Sequence, residues 1–282
     1  MGALLGRAAA RLAPRAGDRS AGRLEAEVLL AHALGVGRGD LLLRPEVPAP
    51  VAEAFEALVD ARVATGRPVA YLTGERGFYD LDLLVDERVL VPRPETEHVV
   101  TVLLELEAAG RLPPGPVVDR GTGSGALALA LAGQLRGRLV AGLDLSAGAL
   151  EVAAANAARC GRPLRLLRAD GLSACAGGRW AAVVANPPYV RAEEHETLPA
   201  DVRDHEPRGA LVPGEGSVEA VYARLAAEAA RVLVPGGWLV TEMGLGQTEL
   251  VTGACRAAGL EVERVEPDLA GIPRVVAARA VP

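Results

Sequence analysis

The chain has 282 residues, half of them hydrophobic and 23% charged, a length and composition that fit two unequal globular domains with a sizeable core. Its formal net charge of -6 argues against a protein that grips nucleic acid through a broad basic surface, and no apolar run reaches membrane-spanning length. Every basic residue among the 30 is arginine, which excludes a phosphate-loop lysine and a pyridoxal Schiff base.

Residues 1–68 read as helices. Arg7, Arg11, Arg15 and Arg19 faintly resemble a transit peptide, but Leu4, Leu5, Ala8 and Leu12 suit an amphipathic first helix, the reading preferred here. Leu24, Val28, Leu29, Ala31, His32 and Leu34 recur at helical spacing, with Gly35 as a stop. A break from Pro45 to Pro50 precedes a further helix through Phe55, Leu58, Val59 and Ala61. Residues 69–92 read as a hairpin linker, with short strands expected at Tyr71–Gly74 and Leu81–Val85. Residues 93–282 follow as the larger domain, and Glu95-Thr96-Glu97 opens its first helix.

After Pro113-Pro114-Gly115-Pro116 the chain alternates. Strands are expected at 116–120, 139–143, 164–168, 181–185, 238–242 and 275–278, and helices at 126–135, 147–158, 218–233 and 247–258. This pattern implies an α/β fold with a largely parallel sheet covered on both faces. Ligands bind beyond the carboxyl ends of such strands.

The first strand runs through Val117-Val118-Asp119-Arg120 into Gly121-Thr122-Gly123-Ser124-Gly125 and then a helix. Glycines let the backbone turn sharply and admit a ligand closely, and the helix N-terminus offers free amides. Alone, this loop serves a dinucleotide or an adenosylmethionine equally. Asp144, ending the second strand, can hold both ribose hydroxyls of either ligand. Its alternative role is a helix cap, for which Ser146 is better placed.

Asn186-Pro187-Pro188-Tyr189, directly after the apolar strand 181–185, discriminates. An amide nitrogen is a poor nucleophile because its lone pair is delocalised into the carbonyl. The Asn186 side-chain carbonyl and the Pro187 backbone carbonyl can accept its two N–H hydrogens and aim the nitrogen at a sulfonium methyl. Prolines stiffen the loop, and Tyr189 offers an aromatic face to the planar group. Asn186, Pro187 and Tyr189 are therefore the expected catalytic residues, and Asn186 to Tyr189, including Pro188, the expected acceptor site. Cys160, Cys175 and Cys255 lie far apart without CxxC spacing, which fits a reducing cytoplasm and gives no zinc signature. His195 and His205 lack HExxH spacing and are expected in a solvated loop rather than around a metal.

These motifs resemble the bacterial release-factor glutamine N5-methyltransferase family. The likeness spans roughly residues 65–279 and includes Pro68–Glu75, Val91–Glu97, the glycine loop, Asp144, Asn186–Tyr189, Glu206–Leu211, Pro235-Gly236-Gly237 and Pro273–Val276. Val91–Glu97 is its most family-specific piece, with a linker-and-helix-start role as the plainer reading.

The resemblance implies a Rossmann-like class I methyltransferase domain behind a helical substrate-recognition domain and a hairpin. It also implies methylation of the glutamine in the Gly-Gly-Gln loop of peptide-chain release factors, with S-adenosylmethionine as donor. Cofactor contacts carried over by position are Gly121, Thr122, Gly123, Ser124, Gly125, Asp144, Gly171 and Asn186. Gly171 stands where the family often has an aromatic residue. Arg120, Ser217 and Thr248 are further departures, and a charged Arg120 leaving a buried strand must find a partner or snorkel outwards. Rival readings are a nucleic-acid exocyclic-amine methyltransferase, which an acidic chain lacking a basic recognition module disfavours, a methyltransferase for another protein glutamine, an NAD-dependent oxidoreductase, which leaves Asn186–Tyr189 unexplained, and a non-catalytic binding module, for which Arg120 is the best support.

Overall fold

The structure is a computed structural model that describes residues 1–43, 46–214, 216–268 and 270–281. It divides into two compact units: residues 1–75 with 199–205, and residues 76–198 with 206–282.

In the first unit, α1 (Gly2–Ala16), α2 (Arg19–Leu34) and α3 (Ala49–Thr65) bury Leu5, Leu12, Leu29, Leu30, Phe55 and Val59 together. Asp18 caps α2 by accepting from the Ala21 amide at 2.8 Å, and Gly35 ends it in the left-handed conformation. A Cβ at Gly22 would lie 2.6 Å from the Ala9 carbonyl oxygen, so glycine is what lets α1 and α2 approach this closely. Pro45 lies outside the described residues, and Pro50 sits in the first turn of α3, where a missing N–H costs nothing.

A strand at Tyr71–Gly74 does not form. Those residues belong to α4 (Val69–Thr73), opened by Pro68 and carrying the buried Ala70 and Tyr71. Val69 and Leu72 pack on the same helical core, so the first unit runs past residue 68 to Glu75. It also takes in α8 (Ala200–His205), whose Asp201 pairs with Arg62. Arg62 is almost wholly buried, bonds Glu25 at 2.7 Å, and donates to the Gly66 and Arg67 carbonyls. Every nitrogen of its guanidinium is thereby engaged, as a buried cation requires.

The hairpin is β1 (Glu75–Phe78) with β2 (Leu81–Leu84), whose alternate residues Leu81 and Leu83 turn inward. Beyond α5 (Glu97–Ala108) come β3 (Val117–Arg120), α6 (Ala126–Gln134), β4 (Val140–Asp144), α7 (Ala147–Cys160), β5 (Arg165–Arg168) and β6 (Trp180–Ala185). After α9 (Arg208–Leu211) and α10 (Val218–Val232) follow β7 (Leu233–Glu242), α11 (Thr248–Ala257), β8 (Leu260–Pro267) and β9 (Pro273–Ala280).

Among the described residues the sheet has seven strands in the order β5-β4-β3-β6-β7-β9-β8. The first five are parallel, and β9 runs antiparallel to both of its neighbours. Strand β8 was not expected from the sequence: its side chains alternate between one half-covered face and solvent, so charged residues interrupt its apolar pattern. Alternate residues of the central strands enter two cores, one under α5 and α6 and one under α10 and α11. The chain leaves β3 toward β4 on one side and pairs with β6 on the other. This reversal opens a crevice at the carboxyl edge.

Candidate active site

A cavity of about 630 Å³ lies at that edge, lined entirely by residues of the second unit. Strand order sets the sequence of groups along it: Asp170 beyond β5, Asp144 ending β4, the glycine loop after β3, and Asn186 after β6.

Gly121, Gly123 and Gly125 have φ of 77°, 55° and 86°, a region that side chains with a Cβ avoid. A Cβ at Gly121 or Gly123 would meet no protein atom and would fill space beside the loop. The Gly123 amide donates to Asp144 Oδ2 and the Ser146 amide to Oδ1, both at 2.9 Å. Ser146 caps α7 through its own hydroxyl, so Asp144 is not needed as a cap. Ser124 is buried; its carbonyl accepts from Asn156, which also bonds both backbone groups of Leu84 and ties the loop to β2.

Asp119 is a site residue that the motif reading passed over. It is 1% exposed, lines the cavity, and accepts from the Thr122 hydroxyl at 2.7 Å through Oδ2. Its Oδ1 has no hydrogen-bond partner among the described residues. Burial pushes this carboxyl up to about 7, against the lowering effect of Thr122. The available signal was an acid at a strand end directly before a glycine loop.

At the β6 end, Asn186 Nδ2 donates to Thr96 Oγ at 3.0 Å, and Thr96 donates to Glu242 Oε2 at 2.5 Å. The Tyr189 hydroxyl donates to Glu242 Oε1 at 3.0 Å. Glu242 is 1% exposed at the end of β7, and burial raises its pKa while the two hydroxyls oppose that rise. Asn186, Pro187 and Pro188 line the cavity. Tyr189 stands behind them instead of presenting a face to it: its hydroxyl is held by Glu242 and its carbonyl accepts from Gln247 at 2.8 Å.

The segment Val91–Glu97 is more than a linker, because it brings Thr96 to Asn186. Arg93 pairs with the buried Glu206 at 2.6 Å, which joins this segment to Glu206–Leu211.

The β5 end answers the question raised by Arg120. Glu228 Oε2 accepts from Arg120 Nε at 3.1 Å and from the Leu172 amide at 3.2 Å, while Oε1 accepts from Arg224 at 2.9 Å. Arg224 also pairs with Asp170 at 2.9 Å. A Cβ at Gly171 would lie 2.4 Å from Glu228 Oε1, so the carboxylate occupies the space beside Gly171. Ser217 caps α10 through its side chain, and Thr248 opens α11. His195 is buried, not solvated as expected; His205 is half-buried at the end of α8, its Nε2 3.0 Å from the Thr65 carbonyl.

Residues 3–74 match a family described as the PrmC N-terminal domain, and residues 100–202 match the methyltransferase small domain. A release factor glutamine methyltransferase of Moorella thermoacetica is 44% identical over 279 residues, covering 96% of this chain and 95% of that one. Its counterpart in Nitratidesulfovibrio vulgaris is 40% identical over 277 residues, covering 96% and 92%. The chain belongs to the release factor glutamine methyltransferase family. Membership of this family makes it an S-adenosylmethionine-dependent methyltransferase. A methyltransferase structure from Pyrococcus furiosus shares the fold at a TM-score of 0.53 and 16% identity, covering 79% of this chain and 98% of that one. No helix among the described residues is long and apolar enough to cross a membrane.

The residues present fit the donor of a release factor glutamine methyltransferase. Asp144 has oxygen lone pairs for two ribose hydroxyls, and Gly121 and Gly123 leave space where side chains would intrude. The unpaired Oδ1 of Asp119 matches a cationic group.

Proposed function

We propose that this chain transfers a methyl group from S-adenosylmethionine to the side-chain amide nitrogen of a glutamine, that of the Gly-Gly-Gln motif in bacterial class-1 peptide-chain release factors. The observation that carries the reading is the tethering of Asn186. With Nδ2 tied back to Thr96, Oδ1 is the atom left to accept a hydrogen bond at the cavity wall.

S-adenosylmethionine, when bound, supplies an electrophilic methyl on a sulfonium. Asn186 Oδ1 and the Pro187 carbonyl accept the two N–H hydrogens of the target amide and turn its lone pair toward that methyl. As the lone pair is drawn out of conjugation, the N–H groups become stronger donors, so both acceptors bind the transition state better than the ground state. Pro187 and Pro188 hold the acceptors in place before the amide arrives. Gly121 to Gly125 and Asp144 hold the donor, and Gly171 and Asp170 border the purine end. The helical residues 1–68 serve to recognise the protein substrate, a role supported by their taking no part in the cavity lining.

The test is methyl transfer from labelled S-adenosylmethionine to a release factor, to the same factor with its Gly-Gly-Gln glutamine changed to asparagine, to ribosomal proteins and to RNA. Label is expected in the intact release factor alone. Label in RNA or in the asparagine form would overturn the reading.

A further inference from the structure

Glu242 has no assigned part in the chemistry, yet it is a buried carboxylate at the carboxyl end of a central strand. Two hydroxyls from different segments converge on it: Thr96, just before α5, and Tyr189, at the end of the proline loop. A carboxylate can only accept hydrogen bonds, and each hydroxyl has one hydrogen to give. Thr96 spends its hydrogen on Glu242 and therefore meets Asn186 with a lone pair. Only the Nδ2 side of the Asn186 amide can satisfy that lone pair, since Oδ1 turned the same way would set acceptor against acceptor. The direction of each bond in the chain is thus dictated by the charge at its root.

We propose that Glu242 and Thr96 are positioning residues for methyl transfer: through the relay Glu242–Thr96–Asn186 they select the rotamer of Asn186 that turns Oδ1 to the acceptor amide, and through Tyr189 the same carboxylate anchors the far end of the loop. The inference rests on Asn186 holding the target amide. A glutamine at position 242 could donate to Thr96, which would free the Thr96 hydrogen for Asn186 and let the amide turn over. Glu242→Gln keeps the shape and removes the direction.

Thr96→Val, Thr96→Ser, Glu242→Gln, Asn186→Ala and the double variant Thr96→Val with Asn186→Ala are compared by single-turnover methyl transfer to a release factor, S-adenosylhomocysteine affinity and thermal melting. Removing a group that orients a contacting residue typically costs about 10- to 100-fold, and a loss of that order is expected for Thr96→Val and Glu242→Gln. Thr96→Ser should retain most of the rate, and S-adenosylhomocysteine affinity should stay within about threefold of the parent for the Thr96 and Glu242 variants. Thr96→Val added to Asn186→Ala should cost almost nothing more, because both remove one contact. If Asn186→Ala is slow while folded Thr96→Val and Glu242→Gln turn over normally, the relay is wrong and the glutamine reading survives. Additive losses in the double variant would also overturn the relay. Normal turnover by Asn186→Ala would remove the underlying reading itself.

Discussion

At the β6 end of the cavity, an amide and two hydroxyls hang from one buried carboxylate; at the β5 end, two arginines and two carboxylates pair across Gly171. Hydroxyl and amide bonds have a donor side and an acceptor side, so the first arrangement decides which atom faces the cavity. In the ion pairs the guanidinium always donates and the carboxylate always accepts, so they compensate charge and fill space without selecting between two orientations. The end where orientation governs chemistry is built from directional groups. The other end, which borders the purine in the proposed reading, carries two of the departures from the family pattern, Arg120 and Gly171.

The largest effect should come from Asn186→Ala. Loss of one preorganised polar contact in an active site typically lowers the rate by about 100- to 1,000-fold, or roughly 2.7 to 4 kcal/mol. Donor affinity should change far less, because Asp144 and the glycine loop remain. Single-turnover rates and S-adenosylhomocysteine binding on the same folded variant check this; a parallel loss of both would erase the contrast between the two ends.

At the other end, Glu228→Ala should reduce stability more than rate. It strips the carboxylate from Arg120, whose side chain is 13% exposed beside a Glu228 that is 14% exposed. The expected cost is about 2 to 3 kcal/mol, between the values for surface and fully buried pairs. Replacing Arg120 and Glu228 together by leucine should restore most of that loss, since apolar packing commonly substitutes for a buried pair. Urea denaturation measures both, and a double variant as weak as Glu228→Ala would show that the pair does more than compensate charge.

A smaller effect separates the middle of the cavity from both ends. Burial raises Asp119 from 3.8 to about 7, so the folded protein holds this proton over a range where the unfolded chain has released it. The unfolded state then binds fewer protons, and Asp119 makes stability fall as pH rises from about 4 to about 7. A bound cation favours the ionised form. Affinity for the donor should therefore weaken by up to about tenfold per pH unit below 7, about 1.4 kcal/mol. Binding measured from pH 5.5 to 8, with Asp119→Asn as the reference, decides it: equal slopes for the two proteins would assign the effect elsewhere.

Much of the architecture was legible, because the parallel strands β3, β4, β6 and β7 are mostly buried and read as short apolar runs between breakers. The segment 69–73 misled: Tyr71-Leu72-Thr73 has strand-like composition, but Pro68 starts a helical turn there and the helical core rewards it. Strand β8 hid behind its charges at the sheet's edge. In the site, glycines and prolines advertised themselves through backbone demands that few other residues meet. Thr96 and Glu242 did not, since their importance lies in a contact across 146 positions of sequence. Asp119 lay in between: adjacent to a visible motif, but distinguished only by burial.

Arg62 has a consequence for the order in which the protein takes shape. It is buried in the first unit, yet one of its two acidic partners, Asp201, lies 139 residues further along. During synthesis, α1 to α3 can collapse as soon as they emerge, with Glu25 alone opposing the arginine's charge. Their closing piece, residues 199–205, arrives only after the hairpin and four of the seven sheet strands have been made. A shortened chain ending at Glu75 lacks Asp201 and leaves Arg62 with Glu25 as its one acidic partner. The helical region completes itself late, from a stretch of chain that the ribosome delivers after most of the catalytic sheet.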